Sequence, residues 1–123
     1  MMTGSVNAVL EATLRLQVHG PNGQQQEFTV VIDTGYNGSL SLPLAAVIAL
    51  SLPRLASRDV TLGDASRKTL DFYRAEIEWD GQRRAIPVLC VEGDPLLGTA
   101  LLKGYKMEAD FVAGGPVRIV PIP

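Results

Sequence analysis

The sequence predicts an all-β fold: a small closed barrel with one or two short helices. Two observations carry that prediction. Apolar residues recur at every second position over much of the chain, the period of a strand with one wet face. Turn signals rich in Gly, Asn, Asp and Pro interrupt this alternation at short, regular intervals, the pattern of a small barrel rather than a bundle or a doubly wound sheet. A third observation sets the scale. The chain has 123 residues, 46% of them hydrophobic and 20% charged. That is enough for one core, and residues 1–123 are read as a single domain.

The elements follow in order. Leu10, Ala12, Leu14, Leu16 and Val18 alternate with Glu11, Thr13, Arg15 and Gln17, which predicts a strand over Leu10–Val18. His19-Gly20-Pro21-Asn22-Gly23 is a surface turn, because Asn-Gly tolerates the positive φ of a tight reversal. The return strand is Gln25–Ile32. Its end, Val30-Val31-Ile32, is apolar on both faces and heads into the core. Leu40 and Leu42 alternate with Ser39 and Ser41. Pro43 then opens a short helix, Leu44–Leu50, which Pro53 closes. Val60–Leu62 and Thr69–Trp79 are strands flanking a turn-rich tip, Gly63-Asp64-Ala65-Ser66. Asp80-Gly81 is a second hairpin turn, and Ile86–Val91 is a buried strand. After Leu96-Leu97-Gly98 comes a one- or two-turn helix, Thr99–Lys103. Two last strands, about Lys106–Val112 and Val117–Ile122, are separated by Gly114-Gly115.

Composition excludes several functions. Net charge is -2, with 11 Lys+Arg against 13 Asp+Glu, so no basic surplus is available to neutralise nucleic-acid phosphates. A single cysteine, Cys90, forbids an internal disulfide. With one histidine, His19, it leaves too few soft ligands for structural zinc. No apolar run approaches a membrane span, and the first residues lack a secretory pattern, so a cytoplasmic location is expected. His19 has no evident Ser or Cys partner and reads as a turn residue. Cys90, between Leu89 and Val91, reads as a buried, inert thiol, and Trp79 as a packing residue.

Asp33-Thr34-Gly35 is the one place where chemistry concentrates. An acid at the end of an apolar strand is partly desolvated, so it needs hydrogen bonds or has work to do. Gly35 lets the backbone fold close and present N–H groups to the carboxylate, and Thr34 adds a hydroxyl. By itself the tripeptide fits an ordinary strand-end turn equally well. The wider order is more specific: Val30-Val31-Ile32-Asp33-Thr34-Gly35, then Leu96-Leu97-Gly98, then Leu101-Leu102 and Glu108-Ala109-Asp110-Phe111.

That ordered set resembles the retropepsin-like aspartic proteases, the single-domain group that includes retroviral proteases and bacterial relatives. The resemblance runs from about Leu10 to Ile122. It implies a catalytic Asp33, a Thr34 that braces two such loops across an interface, and a Gly35 that allows close approach of substrate backbone. It implies that Leu96, Leu97 and Gly98 support the loop from beneath. It also implies that the hairpin tip at Gly63, Asp64 and Ala65 is a flap over the substrate, with Tyr36 and Asn37 beside the cleft.

Such chemistry needs two facing carboxylates that share one proton and activate a water. The chain has one DTG. Asp59, Asp64, Asp71, Asp80, Asp94 and Asp110 fall in turns or on alternating strand faces. The active unit is therefore expected to be a homodimer with one Asp33 per chain, acting on a peptide or protein substrate without metal or organic cofactor. Three departures from the family pattern stand out. Tyr36 follows DTG where better-known members have Ala or Ser. Asn37 and Thr99 replace an acid and an arginine that pair in retroviral members. The flap tip has one glycine, not several. Tyr36 is the feature favouring an alternative, a non-catalytic dimerisation or peptide-binding module of the same fold. The cost of keeping a buried carboxylate dyad argues against that alternative.

Overall fold

The alternating segments become strands whose apolar faces meet in one core. In β2 (Ala12–His19) Leu14, Leu16 and Val18 are buried while Arg15 is exposed. In β3 (Gln25–Ile32) Val30 and Ile32 are buried, and in β6 (Arg67–Trp79) so are Ala75, Ile77 and Trp79. Burying each such Leu, Ile or Val contributes about 1.5–3 kcal/mol relative to leaving it exposed. These positions come from a computed structural model, which describes residues 1–61 and 64–123. The remaining strands are β1 (Met2–Val6), β4 (Leu40–Leu42), β5 (Arg54–Thr61), β7 (Gln82–Cys90), β8 (Leu96–Leu97), β9 (Tyr105–Ala109) and β10 (Pro116–Pro121). Two short helices, α1 (Leu44–Ala49) and α2 (Thr99–Leu102), lie close to their predicted ranges. Among the described residues no helix is long and apolar enough to cross a membrane.

The strands form a ladder in the order β5-β6-β7-β4-β8-β3-β2-β1-β10-β9. This is not clearly the closed barrel that the alternation predicts. Closure is limited to a short contact in which β6 also meets β2, pairing Val18 with Ile77 and His19 with Glu76. Strands outside that ring extend the ladder on both sides. One, β1, was hidden from pattern reading, and β5 was read only at its end, as part of Val60–Leu62. β1 carries no alternation of large apolar residues, and only Val6 is buried. β5 is exposed along nearly its whole length, so its composition has no periodic signal beyond Val60.

Other differences have local causes. Leu10 does not begin β2. It sits in a turn at φ 64°, where its N–H donates to the Asn7 carbonyl at 3.0 Å. Thr13, expected on the wet face, is buried because β1 covers it, and its hydroxyl donates to the Ser5 carbonyl at 2.7 Å. β9 stops at Ala109, short of the expected Val112, which leaves Phe111 and Val112 exposed. His19 is not a surface turn residue. It ends β2, is buried, and its Nε2 lies 2.8 Å from a Glu78 carboxylate oxygen. The Asp80-Gly81 turn has φ of 51° and 82°, the two left-handed residues a tight hairpin requires.

Candidate active site

Asp33 follows directly from β3, and its backbone is fixed by the neighbouring strand. β8 inserts between β3 and β4, parallel to β3 (Val31 with Leu96, Ile32 with Leu97) and antiparallel to β4 (Leu40 with Leu97, Ser41 with Leu96). The Asp33 N–H donates to the Leu97 carbonyl at 2.9 Å, and the Val31 N–H to the Pro95 carbonyl at 2.9 Å. The buried Leu97 thus holds the acid's backbone from beneath. On its other side, the Leu96 N–H donates to the Ser41 hydroxyl at 3.0 Å. Ser41 is 2% exposed, so this hydroxyl takes the place of the water an N–H inserted here would otherwise need.

The carboxylate has its own partner. The Gly35 N–H donates to Asp33 Oδ1 at 2.9 Å, closing a turn in which the Tyr36 N–H also donates to the Asp33 carbonyl at 3.1 Å. A methyl on residue 35 would sit 3.2 Å from that oxygen. Asp33 is half-buried in the single chain, while Thr34 and Gly35 are exposed. Asp33 and Thr34 open onto a hollow of about 410 Å³. Leu10, Glu11, Ala12, Val31, Ile32, Leu96 and Phe111 form the rest of its lining.

Tyr36 turns away from this hollow. Its ring lies over two glycines: a Cβ on Gly38 would fall 2.7 Å from ring atom Cε1, and one on Gly98 would fall 2.7 Å from Cδ2. Gly98 also approaches the carbonyls of Gly38 and Tyr36 too closely for any side chain. Burial raises the phenol's pKa above its ordinary value. The Tyr36 carbonyl accepts the Thr99 N–H at 2.9 Å and, more weakly, its hydroxyl at 3.4 Å. Thr99 therefore ties α2 to the backbone of the DTG loop, not to the Asn37 side chain, which is exposed. Gly38 itself and Ser41 were not singled out in the sequence. A glycine two residues beyond a tyrosine was the only signal available.

The β5–β6 hairpin carries the expected tip. Gly63 lies outside the described residues. Asp64 Oδ1 accepts the Ser66 hydroxyl at 2.6 Å and the Ser66 N–H at 2.9 Å, and these bonds hold the Asp64 carboxyl below its ordinary pKa. Ala65 takes φ 67°, the left-handed conformation usually left to glycine. Cross-strand polar pairs stiffen the hairpin: Thr69 donates to Asp59 at 2.8 Å, and Asp71 accepts from Ser57 and Arg54, both at 2.7 Å. Asp59, Asp64 and Asp71 thus stand in a turn or in polar pairs of this hairpin. Cys90 is half-buried at the end of β7. Burial, with the Glu92 and Asp71 charges adding to it, pushes its thiol pKa up and disfavours the reactive thiolate. Among the described residues no three His, Cys, Asp or Glu side chains converge as metal ligands.

The fold is retropepsin-like. Among solved structures the chain is similar to a retroviral enzyme, EIAV protease complexed with the inhibitor HBY-793. The TM-score is 0.56 and the sequence identity 19%, over 79% of this chain and 89% of that one. No family model matches the chain, and no curated protein matches its sequence.

Proposed function

We propose that the chain is an aspartic endopeptidase active as a homodimer, each copy supplying one Asp33. The observation that carries this reading is the Asp33 loop itself. A half-buried carboxylate hangs from an inserted strand, takes the Gly35 N–H, and opens onto a hollow, all on a fold shared with a retroviral protease. Two such carboxylates across a two-fold axis share one proton. The ionised one takes a proton from water as its oxygen attacks the peptide carbonyl, and the protonated one hydrogen-bonds the carbonyl oxygen. Collapse of the tetrahedral adduct breaks the C–N bond, with a proton passing to the leaving amine. Thr34, exposed beside Asp33, braces the two loops. Asn37 borders the cleft, and Asp64 and Ala65 cover the substrate. Tyr36 gives the non-catalytic alternative little support, because its ring lies over Gly38 and Gly98 and does not line the hollow beside Asp33.

The test is cleavage of an unfolded casein-like substrate by the purified chain beside Asp33→Asn. Wild-type protein is expected to cleave and Asp33→Asn to be inert. Equal cleavage by both removes Asp33 from the chemistry.

A further inference from the structure

Strand β1 changes partners along its length. It pairs with β10 over Met2–Ser5, but with β2 only at Ser5–Thr13 and Val6–Ala12. Where β1 and β2 meet, Gly4 lets them press together, since a Cβ there would strike the Thr13 carbonyl oxygen. The buried Thr13 hydroxyl pins the same point by donating to the Ser5 carbonyl at 2.7 Å. Toward Met2 the strand stays with β10 and leaves β2, and a hollow of about 520 Å³ opens over the split.

The lining is polar and carries a single charge. Thr3 and Ser5 face the hollow from β1, Arg15 from β2, and Thr29, directly opposite Arg15, from β3. No carboxylate lines it. Glu11, the acid nearest Arg15 in sequence, is held by Asn7 Nδ2 at 2.9 Å and borders the Asp33 hollow instead. Among the described residues Arg54 and Arg83 pair with carboxylates, whereas Arg15 pairs with none. Nor does any hydrogen bond among those residues occupy the Thr3, Ser5 or Thr29 hydroxyls. Arg118 stands directly opposite Thr3 on β10, and its own cross-strand neighbour, Glu108, pairs with Lys106 at 3.1 Å. Two arginines without an ion pair thus flank Thr3, in a chain whose net charge is -2.

We infer that this hollow binds a phosphate-class oxyanion, held by the Arg15 guanidinium and the hydroxyls of Thr3, Ser5 and Thr29, with Arg118 adding charge at its edge. Guanidinium N–H groups and hydroxyls are the donors an oxyanion accepts, and Arg meets phosphate through two parallel bonds. The donors stand on both sides of the split. A tetrahedral oxyanion presents oxygens to both sides at once, whereas a planar carboxylate presents its two oxygens to one. The volume lies in the range of small-molecule sites, so there is room for an organic group esterified to the phosphate. Thr29 precedes Asp33 on β3 by about 13 Å of extended strand. The site is therefore separate from the acid and does not rest on the protease reading.

The experiment titrates inorganic phosphate and methyl phosphate into the isotope-labelled chain at constant ionic strength and follows amide NMR shifts. Saturable shifts are expected at Thr3, Ser5, Arg15 and Thr29. Whichever probe saturates at the lower concentration assigns the site to the free ion or to a monoester. Arg15→Gln is expected to raise the dissociation constant about 10-fold or more, the loss of one charge-assisted pair. Thr29→Glu sets a carboxylate directly opposite Arg15 and is expected to abolish binding. Arg118→Gln, at the exposed edge, is expected to weaken binding about 2- to 3-fold. Arg84→Gln, exposed on β7 and outside the hollow, is expected to bind like wild type. Thermal melting without phosphate checks that each variant folds. Shifts that grow with concentration without saturating overturn the site, and so does unchanged affinity in both Arg15→Gln and Thr29→Glu.

Discussion

A single ring links the residues around the candidate acid. Gly38 has no left-handed φ to explain it, and the atoms a Cβ would strike there all belong to the Tyr36 side chain. Gly98 differs, since a Cβ there also strikes the carbonyls of Gly38 and Tyr36. The two glycines therefore respond differently to removal of the ring. Gly38→Ala overpacks the wild-type loop and is expected to cost about 1–3 kcal/mol in urea unfolding. In a Tyr36→Ala background the same change is expected to cost almost nothing, a coupling of about 1–3 kcal/mol in the double-mutant cycle. Gly98→Ala is expected to stay damaging in both backgrounds. Equal costs for Gly38→Ala with and without the ring would show that Tyr36 does not lie where the structure places it. The Tyr36–Gly38–Gly98 cluster also gives physical content to the departure from Ala or Ser after DTG, because the larger side chain is accommodated by two residues without one.

At the scale of elements, the inserted β8 does the most with the least sequence. Two residues long, it hydrogen-bonds β3 on one side and β4 on the other and fixes the Asp33 backbone through Leu97. Ser41→Ala deletes the acceptor for the Leu96 N–H inside the protein. It is expected to destabilise by about 1–3 kcal/mol, the cost of an unsatisfied buried donor, measured by urea unfolding. A neutral Ser41→Ala would mean that water or another carbonyl serves that N–H. The legibility of the fold divides along the same lines. β3, α1 and the Asp80-Gly81 turn were readable because burial, proline and positive φ each leave a local mark in sequence. The DTG loop and Leu96-Leu97-Gly98 were readable as an ordered pair, although their contact is long-range. β1 and β5 before Val60 were not, because strands that bury little carry no period. Nor was the burial of His19, which depends on Glu78 and a strand 59 residues away. The exposure of Leu10 and Phe111 escaped for a related reason: an exposed hydrophobic residue in an alternating sequence looks like part of a strand until the strand is seen to end.

For the whole molecule, the decisive property is that one chain holds one DTG, so catalysis by a dyad belongs to the pair. Mixing experiments can read this directly. When wild-type and Asp33→Asn chains are combined in equal amounts and allowed to exchange, random pairing gives about a quarter wild-type dimers, a half mixed dimers and a quarter Asn dimers. Asparagine is nearly isosteric with aspartate, so pairing itself should not discriminate between the chains. A mixed dimer has a single ionisable carboxylate at the axis and cannot share a proton between two, so it is expected to be inactive. Total activity should therefore fall to about a quarter of that of the same total concentration of wild type. If each chain worked alone, half would remain. The two outcomes differ by a factor of about two, which progress curves on a fluorogenic peptide resolve easily. The experiment also needs no assumption about the natural substrate. Dilution supplies the independent axis: well below the dissociation constant, the rate should rise with roughly the square of chain concentration. A rate that stays proportional to concentration at every dilution, together with half-activity in the mixture, would assign the active site to the single chain and separate Asp33 from any dyad.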